Sequence, residues 1–288
     1  MDCSGRIRTP SLSNKRIVFL AVDEHTAWVW ATAIHSTTEV SQVMKYLFDV
    51  ELHQRTDTAV KFLRSDSGTE FVNQTMSTML LERGIKHERT CVSSSYQNGK
   101  AERHIGIIFS SIRVCLADSE LDPRYWAEGL AYAVYTHNRT PGPNGAKSPF
   151  ELRYKKKPQI KHLRPFGCPC TVTLPVFSTP RPDKVHSAAA EGVLLGYGFK
   201  DGRKGYKVLV PKQGKQKLTM VVTQDVSFGR FDSGISLRKI KWSHLYKDAI
   251  HQQLQLQKET QRTTTNLTSP PNSDISNNTN KPEDFPNN

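Results

Sequence analysis

The 288-residue chain holds 40 Lys and Arg against 27 Asp and Glu, a net charge of +13, with a hydrophobic fraction of 36% and a mean hydropathy of −0.54. That composition suits one or two folded domains with a polar surplus, and no apolar run approaches the roughly 18 residues of a bilayer span. The opening MDCSGRIRTP lacks the apolar stretch of a secretory signal, and five cysteines without disulfide-framework spacing suit a reducing compartment. Cys168 and Cys170 are close, but no His or Cys pair near them has zinc-site spacing.

In chain order, RIVFLAVDEHTAWVWATAI reads as a strand, a polar turn at Asp23 to Thr26, and a second strand. The first, Ile17 to Val22, is apolar throughout, as in a strand covered on both faces. A helix follows, with Val40, Val43, Leu47 and Val50 at helical spacing. AVKFLRSD forms a short strand ending at Ser65-Asp66, and the turn SGTEF leads to a helix from Asn73 to Arg83 that stops at Gly84. IKHERTCVS gives a further strand. After the loop SSSYQNGK comes a helix with Ile105, Ile108, Phe109, Ile112 and Leu116 on one face, interrupted by Gly106 at a cost of about 1 kcal/mol against Ala. Asp122-Pro123 caps the next helix, in which Trp126, Leu130, Val134 and His137 follow at helical spacing, His137 as a packing residue. Strands alternating with helices in this order predict an α/β layered domain over residues 1–150.

Beyond NRTPGPNGAKSP the texture changes. From Phe166 to Phe228, short apolar runs separated by Gly, Pro and Lys predict a small antiparallel barrel or sandwich within residues 151–231. Residues 232–288 offer one helical stretch, SHLYKDAIHQQLQLQ, and then a polar tail expected to be disordered. There is no internal repeat.

Charge divides along the same lines. Residues 1–150 carry 17 basic and 16 acidic side chains, residues 151–231 carry 16 and 5, and residues 232–288 carry 7 and 6. A one-sign block in the middle of the chain favours a polyanionic partner, and nucleic acid is the natural one.

Two acids draw attention within this frame. Asp66 ends a strand, and Glu102 opens a helix with thirty-five residues between them. Acids there can serve turns and helix dipoles, but they can also converge at the edge of an α/β sheet. Converging carboxylates are what hard divalent cations bind, and two such ions can clamp the attacking and leaving oxygens of a phosphoryl displacement.

FLRSDSGTEF followed by SSSYQNGKAER resembles the core of retroelement integrases, and the surrounding segments narrow the likeness. DPRYWAEGLAYAVYTHNRTP, SPFELRYKKKPQIKHLRPFGCPCTV and EGVLLGYG…GYKVLVPKQGKQ…VTQDVSF occur in the same order in copia-type, long-terminal-repeat retrotransposon polyproteins. The resemblance covers residues 1–231 and marks the chain as similar to an integrase fragment of a Gag-Pol polyprotein. It implies a ribonuclease-H-like catalytic core, then a basic Src-homology-3-like barrel and a disordered tail. It implies metal-dependent DNA strand transfer, in which an element's 3′ hydroxyl attacks a target phosphodiester. Asp66 and Glu102 would be the second and third metal-binding acids, with two Mg2+ or Mn2+ ions per site. For the first acid, Asp23 follows a buried strand, but relatives carry it in an earlier Asp-x-x-Gly segment. Asp2-Cys3-Ser4-Gly5 fits that pattern, so Asp2 is favoured.

Only Met1 precedes Asp2, and no zinc-binding His/Cys domain precedes the core, so a truncated first strand and impaired activity are expected. The competing expectation is a nucleic-acid-binding remnant of a decayed transposon that performs no chemistry. A ribonuclease-H-type nuclease shares the fold but lacks the segments after Pro149.

By the same resemblance the loop Tyr96, Gln97, Asn98 and Gly99 touches DNA beside the metal site, with Lys100 and Arg103 reaching phosphates. Relatives usually show Tyr-x-Pro-Gln before Asn-Gly, and the proline is missing here. Lys155, Lys156, Lys157, Lys161, Arg164, Lys204 and Lys207, with Arg203, Lys212, Lys215 and Lys217, supply a general grip on the DNA backbone. The expected partners are element and target DNA and further copies of the chain, with no membrane. The expected location is the nucleus after a cytoplasmic virus-like particle stage. TNLTSPPNS, around Leu267, Ser269, Pro270 and Pro271, is similar to a short motif by which a yeast copia-type integrase tethers to a chromatin protein.

Overall fold

The structure, a computed structural model, describes residues 1–52, 59–90, 99–173, 189–212 and 217–229. The Tyr96-Gln97-Asn98 loop, the stretch after Phe231 and the Leu267 motif lie outside the described residues.

Strand β2 (Ile17–Val22) is the centre of the first sheet, paired antiparallel to β1 (Asp2–Cys3) on one side and β3 (Val29–Ile34) on the other. Its alternation explains why it is apolar throughout. Phe19 and Ala21 enter one core, with Val40, Met44, Met76 and Leu80; Val18 and Leu20 enter the opposite core, with Ile108, Ile112, Trp126 and Leu130. The sheet is therefore sandwiched between α1 (Val40–Tyr46) and α2 (Gln74–Glu82) on one face and α3 (Gly99–Ser119) and α4 (Trp126–His137) on the other. The expected α/β layers are present.

A second, parallel pair joins β4 (Phe62–Ser65) to β5 (Lys86–Arg89). The Met1 nitrogen donates to the Arg64 carbonyl at 2.7 Å, which brings β4 alongside β1. The pairings remain two separate sheets, β1-β2-β3 and β4-β5.

Local chemistry fixes the helix ends. Ser36 and Glu39 form a capping box ahead of α1, Asn73 accepts from the Met76 N–H to start α2, and Gly84 ends it at φ +65°. Asp122 accepts from the Arg124 N–H before Pro123. At the far end of α4, Asn138 donates to the Val29 carbonyl at 2.8 Å and accepts the Val29 N–H at 2.9 Å, buttoning that helix to β3.

A short helix, α5 (Pro149–Tyr154), follows, capped by Ser148. The basic region forms one antiparallel sheet of β6 (Pro169–Thr173), β7 (Ala189–Lys200), β8 (Arg203–Lys212), β9 (Lys217–Thr223) and β10 (Val226–Ser227), in the order β10-β6-β7-β8-β9. β7 bends at a register shift between Leu194 and Gly196. This sheet shares a core with the helices before it: Val193, Leu195 and Leu209 pack with Leu121, Tyr125 and Phe166, against Cys115, Leu116 and Tyr132. Gly167, at φ +76°, lies against Ser119 so closely that a Cβ would fall 2.1 Å from the serine Cβ.

Candidate active site and basic surface

Asp2 lies half-buried on the short β1, Asp66 half-buried just past the end of β4, and Glu102 exposed in the first turn of α3. Asp2 and Glu102 thus stand at the start of their elements, and Asp66 just past the end of its strand. Asp2 accepts the Cys3 N–H at 2.7 Å, and Asp66 accepts the Gly68 N–H at 3.1 Å, so each carboxylate is steadied by its own turn.

The three acids share an electric field. Burial pushes the Asp2 carboxyl above its ordinary range; the Cys3 N–H opposes the shift, and the charges of Asp66 and Glu102 add to it. Glu70 belongs to the same neighbourhood, its carboxylate and that of Asp66 both flanking Gly68. The Cys3 thiol is pushed up to about 12 by burial first, then by Glu70, Asp2 and Asp66. It therefore stays protonated at neutral pH, leaving oxygen donors as the chemistry of this edge.

Those donors suit a hard cation in kind, because a divalent ion would offset both the burial that chiefly raises Asp2 and the like-charge repulsion that adds to it. The geometry is open: among the described residues, no group of three His, Cys, Asp or Glu stands close enough to hold a metal ion.

The other acid weighed for the first position is spent locally. Asp23 accepts from the Thr26 N–H at 3.1 Å and from the Thr26 hydroxyl, closing the turn between β2 and β3. His137 packs edge-on against His104 at 5.5 Å, and burial lowers its pKa, as befits a packing residue.

The basic residues divide into two groups. Gly99 opens α3, Arg103 is exposed on it, and the Lys100 ammonium donates to the Glu24 carbonyl. Arg164 turns its guanidinium inward, to the Lys161 and Leu163 carbonyls at 2.8 Å each and over the Phe228 ring at 5.4 Å. Lys207 stands 3.7 Å from Glu128, a nearly buried acid on α4. Lys155, Lys156, Lys157, Lys161 and Lys204, by contrast, are exposed.

Sequence reasoning passed over Glu70, although it lies within the quoted SGTEF turn. The pairing of Lys207 with Glu128 left no local signal, since 78 residues separate them.

No protein-family model matches the chain. Among curated proteins it is similar to the retrovirus-related Pol polyprotein from transposon TNT 1-94 of Nicotiana tabacum, 26% identical over 228 residues. The chain is a homologue of a transposon Pol polyprotein. The match takes in 79% of this chain and 16% of that polyprotein, so the chain spans a small part of its relative's length. Among solved structures it is similar to the catalytic core domain of BIV integrase, 22% identical over 51% of this chain and 90% of that one. The TM-score of that match is 0.40, too loose a likeness to bear on the site.

Proposed function

We propose that this Pol homologue is an integrase segment that joins the 3′ ends of element DNA to target DNA. The observation that carries the reading is that the charges of Asp66, just past β4, and Glu102, in the first turn of α3, both act on Asp2. In the reaction, the hydroxyl oxygen of an element 3′ end bonds to a target phosphorus. The P–O bond to the neighbouring target nucleotide breaks, and its oxygen leaves as a new 3′ hydroxyl carrying the proton.

Asp2, Asp66 and Glu102 would hold Mg2+ or Mn2+, two ions per site. Bound there, the ions would stabilise charge on the attacking and leaving oxygens. The chain's own part is orientation: backbone N–H groups of Cys3 and Gly68 hold two of the carboxylates, and α3 presents the third. In this reading the basic sheet corresponds to a Src-homology-3-like barrel that holds the DNA backbone, and several copies of the chain assemble on the two element ends in the nucleus. The tail around Leu267 is the candidate tether to a chromatin protein.

The test is a magnesium-dependent strand-transfer assay with labelled element-end oligonucleotides. Asp66→Asn and Glu102→Gln should each cut product at least 100-fold, since loss of a catalytic anchor misplaces the reacting groups. Product at the unmodified level from either variant would refute the assignment. One observation favours a second reading, a nucleic-acid-binding chain without chemistry: the open arrangement of the acids among the described residues. Tight DNA binding with no product, together with manganese binding left unchanged by Asp66→Asn, would establish it.

A further inference from the structure

A broad cleft of about 1310 Å³ runs along β3, on the far side of β2 from Asp2. Trp28 just before β3, Trp30 on it, the α1 residue Tyr46, and α4 face it from the core, and the β7–β8 hairpin closes it from the basic sheet. None of Asp2, Asp66 or Glu102 is among its lining residues.

Two chemistries alternate along its walls. Tyr197 stacks on Tyr135 with centroids 4.4 Å apart and planes at 27°, and the Arg139 guanidinium lies 3.4 Å over the Tyr135 ring. Phe199 and Tyr46 also line the cleft and are 70% and 59% exposed, aromatic faces that the fold leaves largely in water, while Tyr154 packs there against Trp28 and Phe150 with centroids 5.4 and 4.7 Å away. Lys156, Lys157 and Lys204 stand exposed among them, and Lys204 is the direct cross-strand neighbour of Phe199 in the hairpin. The lining acids are Glu39, whose carboxylate accepts the His35 and Ser36 N–H groups at 2.8 and 3.1 Å, and Glu51.

A positively charged groove with exposed rings suits a polyanion that carries flat apolar faces. A duplex hides its base faces in the stack, whereas an unpaired strand presents them. We propose that this cleft binds single-stranded nucleic acid, its bases stacking on Phe199 and Tyr46 and its phosphates meeting Lys156, Lys157 and Lys204. The site is separate from the acids and needs no strand transfer, so failure of either assignment leaves the other standing.

The test uses the whole chain and fluorescence anisotropy with labelled oligothymidylate, oligouridylate and a duplex of equal length. Tyr46→Ala combined with Phe199→Ala removes exposed rings, and an unchanged melting temperature would verify its fold. It should weaken binding of the unpaired strands about tenfold or more while changing duplex binding less than twofold. The ratio of the two unpaired strands separates a DNA from an RNA ligand. An unpaired-strand affinity unchanged in the double variant, or a loss equal to that for the duplex, would overturn the proposal.

Discussion

Asp2, Asp66 and Glu102 stand where backbone elements begin or end, whereas the cleft along β3 is assembled from side chains that reach toward each other from distant elements. At the acid edge the positions are set by a strand pairing (Asp2 opposite Leu20), a strand end and a helix start, and the carboxylates are held by neighbouring N–H groups. At the cleft, Tyr135 of α4, Tyr197 of β7 and Phe150 of α5 depend on how the basic sheet sits against the core. The acid edge should therefore respond to charge, and the cleft to packing.

The largest effect should come from disturbing that packing. Gly167→Ala would place a methyl carbon inside the Ser119 side chain and force a left-handed backbone on alanine. A loss of about 3 kcal/mol or more is expected, seen as a fall in melting temperature. A melting temperature within a degree or so of the parent, roughly a few tenths of a kcal/mol, would show that the basic sheet and the helices before it do not share a core as described.

Lys207→Ala should cost less, about 1–3 kcal/mol, because it leaves Glu128 nearly buried without its cation. Burial raises the Glu128 pKa and Lys207 opposes that rise, so the variant's deficit arises with the ionised acid. The deficit should be full at neutral pH and shrink as pH falls through the raised carboxyl pKa. A deficit independent of pH would mean that Lys207 acts through its alkyl stem instead.

The smallest effect belongs to the acid edge and has the opposite sign. The folded pKa of Asp2 lies above the ordinary 3.8, so its ionised form costs the folded state stability. That cost is absent below the unfolded pKa and grows as pH rises through the folded one. Asp2→Asn should therefore raise the melting temperature slightly at neutral pH, lose the advantage at acid pH, and respond less to magnesium than the parent chain. A lower melting temperature at neutral pH would mean that the Asp2 carboxylate is held more favourably than burial and its neighbours imply.

Short-range chemistry made much of the core legible. The Asn73 and Asp122 caps, the Gly84 stop and the two-faced apolar strand β2 are each written within a few residues. α5 falls where the sequence marks only a change of texture, although Ser148 followed by Pro149 and Glu151 carries a helix-start signal. The six residues Leu47–Leu52 continue α1 as a π-helix, a change of winding that apolar spacing does not report. The basic block was visible as charge, but charge alone did not distinguish the exposed Lys156 and Lys157 from Arg164 and Lys207, which the fold turns toward carbonyls and an acid. The cleft had no sequence signal because its rings come from residues that meet only when the chain is folded.

The central claim is that Asp2, Asp66 and Glu102 act on one shared cation site. Manganese binding followed by electron paramagnetic resonance tests it most directly, on the whole chain and on Asp66→Asn and Glu102→Gln. Saturable binding of two ions by the parent chain is expected, with loss of at least one ion's binding in each variant. Manganese bound equally well by all three proteins, or by none, would contradict it.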